Sequence, residues 1–425
     1  MPDTPAYRAH VAIVGGATAG AEAAEKLAAE GALCVVFEQN DRPYGKVEDG
    51  LPAWHVALRK KEYKTIDAKL QARGVHYVPC TGIGRDLSFD ELLKEWGFDL
   101  IVLANGAWRD RPLPVAGADA YINRGLIYQN PFIYWFNHHR DPGYRGPSYE
   151  LHGGAIVVGG GLASLDVVKV IQLEMTCRAL AERGIEQDFV AMEVEGIPAT
   201  LAKHGLSWDD LGIEPCALYY RRRIEDMPLS EARAGADAEQ MQKTGAIRRR
   251  ILEKAQGKFV FRVEPQWTPI GLLTNGDQLE GLRFAKTRVN ESGRAVVAHP
   301  GEIREVRSRL VISSIGSIPE PIEGLPMDGE LLRIDDVEHG KVTSFDNVFG
   351  CGNVVTGKGN LVASRRHSSK VAKFLVGRLE SEATQRARRS ASQLDELITR
   401  IRERQSEVGY GGDYRRWITR FLPEK

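Results

Sequence analysis

Two short glycine-rich stretches hold the residue types and spacings most suited to chemistry. In the first, Gly15, Gly16, Ala17, Thr18, Ala19 and Gly20 follow the apolar run Val11 to Val14, and Glu38 closes the next apolar run, Leu33 to Phe37. Small residues let backbone approach a phosphate, the amides opening a following helix favour its charge, and an acid about 20 residues on accepts a hydrogen bond from a ribose hydroxyl. Ala17 stands where the usual pattern has its central glycine, so the reading leans on the strand, helix, strand and acid context. The alternative is an ordinary tight turn of an α/β sheet. In the second stretch, Gly159, Gly160, Gly161, Leu162, Ala163 and Ser164 follow Ala155 to Val158, with Ser164 in place of the third glycine. The next candidate strand, Ala217 to Tyr220, ends in Arg221, Arg222 and Arg223. A carboxylate there would repel a ribose 2′-phosphate, whereas guanidinium groups grip one bidentately. The pair therefore predicts FAD at the first turn and NADP(H) at the second, a solvated surface cluster being the plain alternative for the arginines.

The elements that must position these turns are legible around them. Ala19 to Ala29 sets apolar residues at helical spacing with Glu22, Glu25 and Lys26 opposite, and Leu162 to Leu173 reads as a helix. The short apolar runs look buried on both faces, as parallel strands are. Two such units predict an α/β fold with two doubly wound, Rossmann-like dinucleotide-binding domains, the first discontinuous in sequence. We expect residues 1–145 plus 320–380 to form the FAD-binding domain, 150–319 the NADP-binding domain, and 381–425 a C-terminal helical extension without a core of its own. The Pro- and Gly-rich Asp141 to Ser148 reads as the crossing. Leu100 to Leu103 before Asn105 and Gly106, and Leu310 to Ile315 before Gly316, are further strand-then-glycine endings. Val348 and Phe349 lead into the glycine-rich Gly350 to Gly359 and a helical pattern from Leu361 to Leu379.

Composition excludes other classes. The 425 residues are 43% apolar and 27% charged, with 57 basic and 57 acidic side chains, which argues against a disordered chain and against a nucleic-acid partner. Five scattered cysteines without a CxxC pair argue for a reducing compartment and against a dithiol or iron-sulfur centre, and no metal site is expected. Met1 to His10 lacks the marks of a signal peptide, and no apolar stretch approaches ~18 residues, so a cytoplasmic protein with no membrane partner is expected.

The stretches AIVGGATAGAEAAEKL, FEQNDRPYGKVEDGLPAWH, GIGRDLSFDEL, LANGA, VVGGGLASLDVVKV, YYRRR, FRVEP, LVISSIG and VFGCGNVVTGKGNLV together resemble the adrenodoxin reductase type of ferredoxin-NADP reductase, related to the small subunit of bacterial glutamate synthase. The likeness runs from about Tyr7 to Leu379. It implies FAD held by Gly15, Gly16, Ala17, Gly20, Glu38, Ile83, Gly106 and the late loop with Gly352, Asn353, Asn360 and Leu361. Tyr44, Gly45, Lys46 and Val47 would pass along the flavin. It also implies NADP(H) on Gly159, Gly160, Gly161, Leu162 and Ala163, with the phosphate on Arg222 and Arg223, and a polar pair beside the flavin, His55 and Asp166. A histidine with a carboxylate can carry protons for a flavin whose protonation changes on reduction; a single histidine is as readily a structural hydrogen-bonder.

Three departures stand out. Asn353 replaces the family's tryptophan, Lys46 an apolar residue, and Arg365, Arg366 and His367 a neutral stretch. The expected activity is hydride transfer from NADPH to flavin and single-electron delivery to an acidic ferredoxin-like carrier. Candidate docking residues are Arg248, Arg249 and Arg250, or Arg365 and Arg366; Lys60, Lys61 and Lys69 read as a solvated helix face. The rivals are a flavoprotein acting on a small molecule or dioxygen, and a flavoprotein subunit of a larger complex. The cysteine-rich segment of the glutamate synthase small subunit has no counterpart before Val11, which weighs against the last.

Overall fold

The structure, a computed structural model, describes residues 7–421 except 234, 291, 292, 294, 298–300, 358, 359 and 383–389. Lys358 and Gly359 of the late glycine-rich stretch therefore lie outside the described residues. The elements that position the candidate sites are β1 (Ala9–Val14), α1 (Thr18–Ala29), β2 (Ala32–Phe37), α2 (Val56–Leu70), β3 (Val75–Val78), β4 (Leu100–Leu103), β5 (Leu126–Tyr128) and β6 (Ile156–Gly159). They continue with α3 (Leu162–Ala181), β7 (Ala217–Tyr220), α4 (Ala238–Phe259), β8 (Arg262–Pro265), β9 (Val311–Ser314), β10 (Val348–Gly350), α5 (Leu361–Glu382) and α6 (Ala391–Glu407).

The chain forms two compact units, one of residues 1–51, 55–109 and 317–425, the other of residues 52–54 and 110–316. In the first, parallel strands lie in the order β10, β4, β1, β2, β3, and two short antiparallel strands extend the sheet beyond β10. Every residue of β1, β2 and β4 is buried, because helices cover both faces of such a sheet and leave no solvent side for polar alternation. The second unit repeats the order, β5, β9, β6, β7, β8, all parallel. It adds an antiparallel meander, Trp267–Asn275, Gln278–Val289, Ala295–Val297 and Ile303–Arg307.

The partition runs differently from the sequence expectation at two places. Residues 110–145 belong to the second unit, because β5 pairs with β9; the Pro- and Gly-rich Asp141 to Ser148 is thus internal to that unit. The C-terminal segment is integral to the first unit. Leu394, Leu397 and Ile401 of α6 enter one apolar cluster, and Tyr410, Tyr414 and Trp417 another. No helix among the described residues is long and apolar enough to cross a membrane.

Candidate functional site

In each unit the strand order reverses direction beside the strand that feeds a glycine turn, β1 against β4 in the first and β6 against β9 in the second. Crevices at such switch points, outside the carboxyl ends of the strands, are where open α/β sheets bind ligands. Neither α1 nor α3 has a side-chain cap or an acid in its first turn, unlike α4 and α6, which open with capping boxes. Helix amides without a cap are available to an anion.

In the first turn Gly15 adopts φ +98°, and a Cβ there would lie 2.7 Å from the carbonyl oxygen of Ala104. A Cβ on Gly20 would run into the carbonyl oxygen of Gly15. Glu38 is buried at the end of β2, its Oε2 accepting from the Gly16 amide at 2.8 Å and its Oε1 from the Asn40 amide at 3.0 Å. Burial pushes its carboxyl up to about 7, against the pull of those backbone donors. Ile83 is buried just after Thr81, whose amide donates to the Glu38 carbonyl at 2.7 Å. Gly45, at φ +49°, faces Ala17 and Trp108; Lys46 donates to Ser317 Oγ at 3.0 Å and stands 5.8 Å from the Trp108 ring centre. Val47 is buried in the core behind them, and Gly106 has φ +72° beside Trp108.

Thr18 Oγ1, Asn105 Oδ1 and Asn353 Oδ1 are buried without a hydrogen-bond partner among the described residues. They follow β1, β4 and β10, three adjacent strands, so they gather at one end of the sheet. Buried polar atoms are normally paired. Their convergence beside a turn that admits no side chain at Gly15 or Gly20 fits a polar dinucleotide lying among them. The late loop is held by His367, whose Nδ1 accepts from the Gly352 amide at 3.0 Å and whose Nε2 donates to the Val337 carbonyl at 2.8 Å. Asn360 Oδ1 caps α5 through the amides of Val362 and Ala363, with Leu361 opening the helix.

In the second unit a Cβ on Gly159 would meet Ser164 Oγ and the Ser314 carbonyl, and one on Gly160 would enter the Tyr220 ring. Gly161 and Ala163 are half-buried and Leu162 is exposed. Ser164 is fully buried and donates to the Ser314 carbonyl at 2.9 Å. At the end of β7, the Tyr220 hydroxyl donates to the Asp226 carbonyl at 2.9 Å and accepts from Arg222 Nε at 3.0 Å. Arg223 is ion-paired with Asp226 at 2.9 Å, which holds that carboxyl below its usual range, and Arg221 is exposed. Arg222, directed by Tyr220 and without a carboxylate partner among the described residues, is the better placed of the arginines to meet an anion.

His55 is the N-cap residue of α2 in the first unit; Asp166 lies on α3 in the second. Desolvation pushes Asp166 up to about 7, Glu193 adding to the rise and Lys169, 3.9 Å away, opposing it. Lys169 is shared with Glu193 at 3.0 Å. The docking candidates fare unequally. Arg365 is paired with the buried Glu62, Arg249 with Glu225, and Arg248 donates to the carbonyls of Ser230 and Glu225, whereas Arg250 and Arg366 are exposed. Thr18, Asn105, Trp108, Tyr220 and Asp226 are additions to the sequence-derived sites, while His367, singled out in the sequence as a basic departure, holds the late loop. Thr18 lies within the first glycine-rich stretch, Tyr220 closes the strand before the arginines, and Asp226 is an acid three residues after Arg223.

No known family profile matches the chain. It is 26% identical over 367 residues to the mitochondrial NADPH:adrenodoxin oxidoreductase of Arabidopsis thaliana, covering 79% of this chain and 73% of that one. It is 23% identical over 432 residues to the NADPH-ferredoxin reductase FprA of Mycobacterium leprae, covering 95% and 91%. The beta subunit of a Geobacter sulfurreducens NADPH-Fe(3+) oxidoreductase is 31% identical over 331 residues, but the chain spans only 39% of its length. Among solved structures, Mycobacterium tuberculosis FprA in complex with NADPH superposes with a TM-score of 0.72 at 20% identity, over 94% of this chain and 91% of that one. These likenesses establish the two-domain fold and the homology.

Proposed function

We infer that this chain, a homologue of the adrenodoxin reductase type of NADPH-ferredoxin reductases, is an FAD-dependent oxidoreductase that oxidises NADPH and delivers electrons singly to a ferredoxin-type carrier. The observation that carries the reading is the contrast of charge at equivalent switch points: a buried glutamate beside one glycine turn, an arginine without a carboxylate partner among the described residues beside the other. The first suits an unphosphorylated ribose and the second a phosphorylated one. When bound, the flavin supplies the chemistry that the side chains lack, accepting two electrons as a hydride and releasing them one at a time.

The chain's own residues bind and orient. Thr18, Asn105 and Asn353 are proposed to pair with the polar groups of FAD, and Glu38, fixed by the Gly16 amide, with its adenosine ribose. Gly159 to Ala163 are proposed to admit the pyrophosphate of NADP(H), and Arg222 its 2′-phosphate, with Arg223 as a second donor once it parts from Asp226. His55 in the first unit and Asp166 in the second are each proposed as a proton-holding group for reduction; a carboxyl near 7 is matched to that role at neutral pH. With all five cysteines free of disulfides, the reducing cytoplasm is the compartment we propose.

The test is carrier-dependent turnover. FAD-loaded protein with NADPH should reduce a haem-protein reporter rapidly only when a ferredoxin is added. Equal rates without the ferredoxin would favour direct action on small molecules or dioxygen.

A further inference from the structure

The exposed face of α2 carries a charge pattern that the rest of the candidate docking surface lacks. Glu62, Ile66 and Leu70 point inward and are buried, while Ala57, Lys60, Lys61, Lys64 and Ala68 are exposed. The first four recur at i, i+3, i+4 and i+7, which places them on one side of the helix. Val56 and Leu58, 41% and 39% exposed, are two residues apart and so flank that stripe on its two sides, an apolar margin to a basic centre. The lysines have no ion-pair partner among the described residues, and the two acids of the helix, Glu62 and Asp67, are engaged by Arg365 and by the hydroxyls of Tyr44 and Tyr414. The basic run of α4 is different, since its charge is largely met by Glu225 and by backbone carbonyls.

The inner side of α2 is packed on the segment that the flavin reading uses. Tyr63 stacks on Tyr44 with ring centres 3.9 Å apart, Arg59 donates to the Glu48 carbonyl at 3.0 Å, and the helix begins directly after His55. Resting on the proposed carrier-dependent activity, we propose that this face of α2 is the docking surface for an acidic one-electron carrier, with Lys60, Lys61 and Lys64 as its electrostatic centre and Val56 and Leu58 as apolar contacts on its two flanks. Its unpaired positive charge complements an acidic partner, and such complementarity governs association rate and salt dependence more than it governs chemistry within the enzyme. Lys60 and Lys61, read from sequence as a solvated helix face, thereby take with Lys64 the role first assigned to Arg248, Arg249 and Arg250, or to Arg365 and Arg366.

The experiment uses FAD-loaded full-length protein and an acidic [2Fe–2S] ferredoxin as probe. Binding is measured at low salt, alongside NADPH turnover with ferricyanide and with the ferredoxin. The triple variant Lys60→Glu, Lys61→Glu, Lys64→Glu should weaken ferredoxin binding and raise its KM by about tenfold or more, flatten the salt dependence, and leave ferricyanide turnover unchanged. Arg250→Glu on α4 should change binding less than twofold, roughly the scale of a remote surface charge. Unchanged binding in the triple variant, with ferredoxin-dependent turnover intact, would overturn the surface alone. A wild type that reduces ferricyanide but neither binds nor reduces the ferredoxin would overturn the carrier reading and the surface with it.

Discussion

At Gly20 a methyl group would collide with the carbonyl of Gly15, whereas at the corresponding place in the second turn Ser164 fits and donates its hydroxyl to the Ser314 carbonyl on β9. One close approach is common to both units, Gly15 against the Ala104 carbonyl and Gly159 against the Ser314 carbonyl. The first unit adds that of Gly20 to the Gly15 carbonyl and the second that of Gly160 to the Tyr220 ring. Tyr220, pressed on the turn, also holds the Arg222 guanidinium. The first turn thus depends on a glycine for its shape, and the second couples its shape to the residue proposed to read the ribose phosphate.

The largest effect is expected from exchanging these solutions. Gly20→Ala should yield colourless protein that does not retain FAD and should cost about 1–3 kcal/mol or more by overpacking. Ser164→Gly should keep the flavin and cost about 1–2 kcal/mol, from a lost hydrogen bond and added backbone freedom. Thermal melts and visible spectra of the purified variants check both. A yellow Gly20→Ala protein of normal stability would break the comparison.

Next comes the arginine pair. Arg222→Ala should lower kcat/KM for NADPH by about ten- to a hundredfold, the range of a charge-assisted hydrogen bond, with NADH little changed. Arg223→Ala should cost less, because Asp226 already occupies that guanidinium, and Asp226→Asn should raise NADPH preference a few-fold by freeing it. Steady-state kinetics with both nucleotides decides. Equal losses at Arg222 and Arg223 would mean that the Asp226 pair opens without cost when nucleotide binds.

A pH dependence at Asp166 is read in stability rather than in turnover. The unfolded aspartate ionises near 3.8 and the folded one near 7, so between those values the folded state holds the extra proton and stability falls as pH rises. Asp166→Asn should match the wild type in melting temperature near pH 4 and gain on it progressively toward pH 7. A constant difference across that window would contradict the raised value.

The sequence made the strand, turn and helix of each unit legible because a buried parallel strand is a continuous Val, Ile and Leu run, and because the turn needs residues without side chains. Glu38 and Arg222 stood out as candidates for the same reason, since each follows the end of such a strand. What could not be read was long-range pairing. Nothing in Leu126 to Tyr128 announces that it joins Val311 to Ser313, so the domain boundary was set too late. Trp417 donating to the Asp41 carbonyl, and Leu397 and Ile401 entering the core, depend on a chain return that periodicity does not encode. The arginines of α4 and α5 looked free because their partners, Glu225 and Glu62, lie 24 and 303 residues away.

An anaerobic titration tests the central claim, that one turn accepts FAD and the other selects the 2′-phosphate. Protein reconstituted with FAD should bleach on one equivalent of NADPH, respond at least about tenfold more slowly to NADH, and lose that preference in Arg222→Ala. Protein that takes up no FAD, or that NADH bleaches as fast as NADPH, would contradict it.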